Sequence, residues 1–377
     1  MKLYRSLENM LLNLIQWLWI RFITIHEYIN IYKKRNLYKN VKLSDIQKKQ
    51  IDEFYIENYG KKVPYLWHRL YQSYTGKFDY KYIPEIIFST KLEPLGNKRL
   101  EVLPYENKNM LSVLFGEVDG IVIPETYLMC VNGLYMDAQR NVISGQKAMN
   151  FLEKYQSGSY QAVIKATVDT SSGRGVRVVD IVNGVDQIAK EPIENIIKSM
   201  GNNFVVQERI EANDKFRNLY PNAINTLRVV TYICENDIFV APIAMRIGQG
   251  GGLVDNAHAG GMFIGVSDNG ELNREAFTEY QNRYFQHPNT KTVFENYKLP
   301  CISEVKQVAI KLHHQVPMIR FVSWDFTIDK FERIVLIEAN LHSQSVWFPQ
   351  MAHGKAFFGE NTAAMLKLAS GKLQEGD

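Results

Sequence analysis

Cysteine is scarce: Cys130, Cys234 and Cys301 are the three in 377 residues, far apart and without a Cys-x-x-Cys pair. That excludes a disulfide scaffold, argues against a zinc site and suits a reducing compartment, each thiol reading as a small buried apolar group. Long apolar runs are missing too. The longest, residues 10–20 (MLLNLIQWLWI), has eleven residues, short of the roughly 20 needed to span a bilayer. Arg21-Phe22-Ile23 follows it and supplies no small-residue cleavage site, so it does not read as a signal peptide. A cytoplasmic protein is expected, with this run packed as a helix on the rest of the chain. The cluster Lys33, Lys34, Arg35 leaves a peripheral membrane contact as the alternative.

Charge of one sign is also lacking. The net charge is only +4, and no basic stripe with interleaved aromatics points to nucleic acid. No Gly-Lys-Ser/Thr closes a Walker A loop, and GQGGG at 248–252 opens no helix, so it is no dinucleotide fingerprint. No Cys/His or Ser/His/Asp arrangement announces a protein nucleophile. What remains is an ordinary globular composition, 46% hydrophobic and 22% charged, in a chain long enough for two or three lobes. The pattern divides it into a helical N-terminal region, 1–100, with Ser44 and Asp45 as cap candidates, and an α+β domain, 101–377.

The most informative stretch is residues 320–342, RFVSWDFTIDKFERIVLIEANLH. Two apolar runs flank a polar group, which is a strand, turn, strand signal. An even turn centred between Phe331 and Glu332 sets Asp325 opposite Glu338, with roughly 4.5–5.5 Å between their Cβ atoms. Asn340 shares their face because side chains alternate along a strand. Two carboxylates this close repel unless a cation sits between them. Mg²⁺ takes oxygen ligands of this kind, completed by phosphates and water. Asp325, Glu338 and Asn340 therefore read as a nucleotide-metal site, against the plainer reading of a solvated acidic hairpin.

Residues 107–126 suggest a helix with Lys108 in its first turn, and Asn132-Gly133 marks a hairpin turn. The strand AVIK ends in Lys165 and precedes a Ser/Gly loop, Ser171, Ser172, Gly173, Arg174, Gly175, before another strand. Such a loop offers N–H groups and hydroxyls to phosphates, and Lys165 a point charge beside them. NFVVQERI at 203–210 is a strand that turns polar at Gln207 and Glu208. Residues 225–234 and 238–247 read as two strands, each carrying an arginine, Arg228 and Arg246, which is costly to bury unless it meets an anion. Asn256, Gly260 and Gly261 stand in a glycine-rich loop where a backbone could approach a ligand. Residues 271–316 look helical and polar, and His313-His314 cannot share a helix face.

The order of these signals resembles the ATP-grasp superfamily. VIKATVDTSSGRGV, VVQERI, NTLRVVTY, LVDNAHAGG and WDFTID with LIEAN look most like its sugar-transfer associated branch, over about residues 107–368. The resemblance implies an α+β ATP-grasp fold, two subdomains closing on ATP, with the helical extension outside it. It implies that Lys108 and Lys165 hold the α- and β-phosphates and that the loop at 171–175 covers the β- and γ-phosphates. The backbone of the Gln207–Ile210 stretch, at Glu208, Arg209 and Ile210, would read adenine. Asp325, Glu338 and Asn340 would hold Mg²⁺, Arg228 and Arg246 would stand beside the transferred phosphoryl group, and Asn256 would line the acceptor pocket. Glutamate-ligase relatives have an arginine two residues before the equivalent asparagine, where this chain has Val254. The implied activity is an ATP-dependent ligase joining a carboxylate, such as a uronic acid or amino acid, to an amine through an acylphosphate. Polysaccharide or sugar-conjugate synthesis is its implied setting. A kinase acting on a hydroxyl, and a nucleotide-binding protein without turnover, are the alternatives.

Overall fold

The computed structural model describes residues 2–167 and 175–372. Two antiparallel sheets dominate them. The first contains β1 (Thr126–Val131), β2 (Leu134–Met136), β3 (Val142–Ile143), β4 (Ser159–Ala166), β5 (Val176–Val182), β6 (Val185–Asp186), β7 (Glu191–Pro192) and β8 (Phe204–Glu208), in the order β3-β2-β1-β8-β4-β5-β6-β7. Asn132 and Gly133, both at positive φ (50° and 82°), make the turn between β1 and β2. One face of this sheet packs Leu128, Ile164, Ile181 and Phe204 under the helices Gly145–Lys154 and Ile193–Ser199. The opposite face carries Gln161, Val163 and Lys165 into an open cleft.

The second sheet contains β9 (Thr226–Cys234), β10 (Asp237–Val240), β11 (Ile243–Ile247), β12 (Met262–Val266), β13 (Ala276–Thr278), β14 (Arg283–Tyr284), β15 (Phe321–Ile328) and β16 (Ile334–Asn340). The order is β14-β13-β12-β11-β9-β15-β16, with β10 paired to β9 beyond the end of β11. The single strand expected over 238–247 is thus two, broken where Pro242 has no N–H to give the ladder. The helical reading of 271–316 also fails over most of its length. Ala276–Thr278 and Arg283–Tyr284 extend the sheet at its edge, and only Ile302–His313 is helical. Pairing of the buried Ala276–Thr278 with the edge of β12 decides this, a tertiary effect that local pattern does not carry. His313 is buried, bonded to Thr231 Oγ1 (2.6 Å) and the Ile319 carbonyl (2.7 Å), while His314 is exposed.

β15 is buried at all eight positions. Its Val322, Trp324, Phe326 and Ile328 face a core shared with the helix Ile302–His313, and Ser323, Asp325 and Thr327 face the other way. On that second face the apolar end, Val230, Tyr232 and Phe321, is covered by residues of the helices Asp45–Tyr59 and Thr362–Ser370. The N-terminal helices therefore share a core with this sheet. Ser44 caps Asp45–Tyr59 with a full capping box to Gln47. The polar end of the same face opens into the cleft.

Candidate functional site

The expected partnership of Asp325 with Glu338 is present in the register, but by a different route. The turn is odd, Ile328 pairing with Ile334 around Asp329–Arg333, with Glu332 in the left-handed region (φ 63°). Phe326 accordingly faces Leu336. An extra residue at Ile337 then shifts the ladder by one, so that Asp325 meets Glu338 and Ser323 meets Asn340. Leu336 and Glu338 are two apart and would share a face in a regular strand. The bulge sends Leu336 into the core and Glu338 into the cleft, the re-aiming that bulges perform beside functional sites.

Asp325, 1% exposed, is opposite Arg228 on its other side. Arg228 Nε donates to Oδ1 (2.6 Å) and its NH2 to Oδ2 (3.2 Å); Arg246 NH2 donates to Oδ2 (2.9 Å). Asn340 Nδ2 also reaches Oδ2 (3.4 Å). Burial by itself would raise this carboxyl, but the two guanidiniums outweigh it and hold it below the usual carboxylate range. The anion that meets both strand arginines is thus a side chain of the protein. Thr226 and Asp255 complete the cluster. Thr226 Oγ1 accepts from Arg246 (2.9 Å) and donates to Asp255, which also accepts from the Thr226 N–H (3.0 Å). For Asp255, burial wins over Arg246 and its carboxyl is raised.

Glu338 is one-third exposed to the cleft and accepts an ion pair from Lys108 (Nζ to Oε1, 2.8 Å). Lys108 stands in the short turn Lys108–Met110, capped by Asn107. Lys165 is half-buried on β4 between β5 and β8; burial pushes its amine down to about 8, against the pull of Glu338 and with the added push of Lys108. Thr167, whose carbonyl faces the Lys108 N–H, has a buried hydroxyl without a partner among the described residues.

These groups line one cleft of about 1210 Å³ running between the two sheets. Glu208, Arg209 and Ile210 line it from the end of β8, with Arg209 bonded to Gln161 (3.0 Å). Gln207 shares a face with Val163 but is buried, its amide turned onto Thr126 (3.4 Å). Ser171, Ser172, Gly173 and Arg174 lie outside the described residues. Gly175 is described at φ 73°, its carbonyl accepting from the Ala166 N–H (3.0 Å). Asn256 is in the cleft wall, its side-chain oxygen capping the turn at His258 (2.8 Å). Gly260, at φ 95°, is open. Gly261 is not: a Cβ there would stand 2.5 Å from the Asp255 carbonyl oxygen, so its smallness serves the chain's own loop.

Sequence reasoning did not single out Thr226, Asp255 or His258. His258 lies in the cleft wall with Nδ1 2.7 Å from Glu279, whose other oxygen pairs with Lys34 (2.7 Å). Nothing in linear spacing ties these together. Asp255 did carry a signal, an acid next to the loop asparagine.

The family comparison decides what this arrangement belongs to. A model described as sugar-transfer associated ATP-grasp matches residues 87–364. The chain belongs to that family. Its α+β architecture, with helices preceding two antiparallel sheets, is the ATP-grasp fold. Among solved structures it is similar to the VanG D-Ala:D-Ser ligase from Enterococcus faecalis (14% identity, TM-score 0.43, 74% of this chain and 64% of that one). It is also similar to D-alanyl-alanine synthetase A from Vibrio cholerae O1 biovar eltor (13% identity, TM-score 0.42, 73% and 67%). The match spans less than two thirds of the first of these, and at such scores the likeness carries no argument about chemistry. A comparison with curated proteins gives no match.

Among the described residues no three His, Cys, Asp or Glu side chains gather as a metal cluster. The candidate set in this ATP-grasp chain is two carboxylates and an amide on one face; Glu338 opens to the cleft, while both Asp325 oxygens accept from Arg228 and Arg246 and Asn340 turns its Nδ2 to Asp325. That set fits Mg²⁺ completed by phosphate oxygens and water better than it fits a metal held by protein alone.

Proposed function

We propose that this ATP-grasp protein is an ATP-dependent carboxylate-amine ligase. What supports the reading is the meeting of Lys108, Lys165, Arg228 and Arg246 with Asp325 and Glu338 in one cleft. Four cations meet Asp325, Glu338 and Asp255 here, with a Thr167 hydroxyl that has no partner among the described residues nearby, and together they make a polar surface for a phosphate-bearing ligand. Lys108 and Lys165 would hold the α- and β-phosphates, the loop at 171–175 would cover the β- and γ-phosphates, and the backbone at Glu208–Ile210 would receive adenine. Asp325, Glu338 and Asn340 would hold Mg²⁺, which when bound neutralises triphosphate charge.

In the reaction, a substrate carboxylate oxygen attacks the γ-phosphorus and ADP leaves. The amine then attacks the acyl carbon, loses a proton, and expels phosphate. Phosphoryl transfer calls for in-line positioning and charge stabilisation more than for a protein nucleophile. Arg228 and Arg246, fixed by Asp325 and Thr226, are preorganised donors for that charge and need little reorganisation as it develops. Asn256 would line the acceptor pocket. The family's association with sugar transfer supports a sugar-borne carboxylate, such as a uronic acid, or an amino acid as the acid substrate, with polysaccharide or conjugate synthesis as the setting.

The test is purified protein with ATP, Mg²⁺ and candidate acids, with and without amines. ADP release that requires both acid and amine is the expected result. Phosphate retained on a hydroxyl product would replace the ligase with a kinase, and no ADP release with any acceptor pair would leave a nucleotide-binding protein without turnover.

A further inference from the structure

The helix Lys2–Lys33 was expected to pack its apolar run against the protein, and it does the reverse. Leu11, Leu14, Leu18, Phe22, Ile25 and Ile29 recur at the three-and-four spacing of one helix face. All are exposed, from 47% at Ile29 to 62% at Ile25. The side turned to the protein is the one bearing Glu27 and Ile31, both buried. The stripe is about 27 Å long at 1.5 Å per residue. A soluble protein seldom leaves so long an apolar face in water.

The charges beside it identify the partner. From residue 10 to residue 42 the only acid is Glu27, which is buried, whereas Arg21, Lys33, Arg35, Lys39 and Lys42 are all exposed. Trp17 and Trp19, also exposed, flank the stripe, with Arg21 over the Trp17 ring (5.1 Å). A second copy of the helix would cover the stripe but bring like charges together. A bilayer surface covers stripe and flanks at once, and its phosphates meet the cations. No helix among the described residues is long and apolar enough to cross a membrane.

We propose that this helix lies in the interface of an anionic phospholipid bilayer, stripe downward, with Arg21, Lys33, Arg35 and Lys39 at the headgroup phosphates. Trp19 also lines the cleft, under the Arg99 guanidinium (5.0 Å). Docking therefore holds the cleft beside the membrane. The inference stands independently of the ligase reading.

The test is sedimentation of the full chain with vesicles of phosphatidylcholine alone and of phosphatidylcholine mixed with phosphatidylglycerol. Binding to the mixed vesicles is expected, weakened by salt. Leu18→Asp with Phe22→Asp should lower it at least about tenfold, and each of Arg35→Gln and Lys39→Gln by roughly fivefold. These positions are exposed, so thermal unfolding should be unchanged, which separates lost docking from lost folding. The proposal is overturned if no vesicle binds, or if neutral and anionic vesicles bind alike. A dimer that Leu18→Asp dissolves, without vesicle binding, would overturn it in favour of a second copy.

Discussion

Asp325 and Glu338 face each other across β15 and β16, yet their environments assign them different energetic roles, and paired substitutions read the difference. Asp325→Asn keeps the volume and removes the charge. Arg228 and Arg246 are then left 20% and 12% exposed with their shared anion gone, and Asp255 lies 3.6 Å from Arg246 alone. Breaking a buried pair costs about 3–5 kcal/mol. The cleft admits some water, so about 3 kcal/mol is the expectation, or a fall in Tm of about 4 °C at the roughly 1.3 °C per kcal/mol that the unfolding entropy of a chain this long implies. Glu338→Gln removes a carboxylate one-third exposed and paired with Lys108, itself 19% exposed. Such a pair contributes about 0–1 kcal/mol, a shift of about 1 °C at most on the same scale. Both variants should lose ATP-dependent turnover, because both remove a ligand proposed for Mg²⁺. Thermal unfolding of the two proteins beside ADP release is the assay. An Asp325→Asn protein as stable as the parent refutes the electrostatic account of the cluster, and a fully active Glu338→Gln protein refutes the metal assignment.

Lys165, with its amine pushed down to about 8, is charged below that pH and neutral above it. KM for ATP should rise as pH passes through about 8, and Lys165→Arg should remove that rise; a profile identical in the two proteins would show that Lys165 does not hold phosphate. Lys165→Met should weaken ATP binding about tenfold or more at neutral pH, the loss of one charge-assisted bond, measurable by calorimetry. Glu93 is buried, accepts from the Gln344 N–H (2.7 Å), and has its carboxyl raised by burial to about 8. Its folded pKa exceeds its unfolded value of 4.5, so its contribution is full below 4.5 and lost as pH rises through about 8. Denaturation at pH 5 and pH 8 should show this fall in the parent and a smaller one in Glu93→Gln. Gly261→Ala should destabilise by about 1–3 kcal/mol, since its Cβ would meet the Asp255 carbonyl oxygen; an unchanged Tm would mean the loop yields freely.

Much of the site was legible because its parts are local. The hairpin at 320–342, the Asn132-Gly133 turn, the strand bearing Lys165 and the arginines within β9 and β11 all follow from alternation and turn residues. The strands at 276–284 were not legible, because segments of three and two residues carry too little alternation and become strands only when β12 offers an edge to Ala276–Thr278 and that strand to Arg283–Tyr284. The Pro242 break was visible in principle, as a residue that cannot donate to a ladder.

By itself the sequence determined that two carboxylates and an asparagine would occupy a hairpin and that two arginines would interrupt apolar strands. Only the tertiary structure decided which way they point. A bulge at Ile337 flips the parity of β16 and sends Glu338 into the cleft rather than the core. Non-local pairing of β15 with β9 sets Arg228 against Asp325, an anion 97 residues away. The apolar N-terminal run was plain to read, but whether it met protein or water depended on which face the rest of the chain could cover. Alternation and capping are short-range forces and are written in neighbouring residues; register, ion pairing and burial depend on surfaces that come together only once the chain has folded.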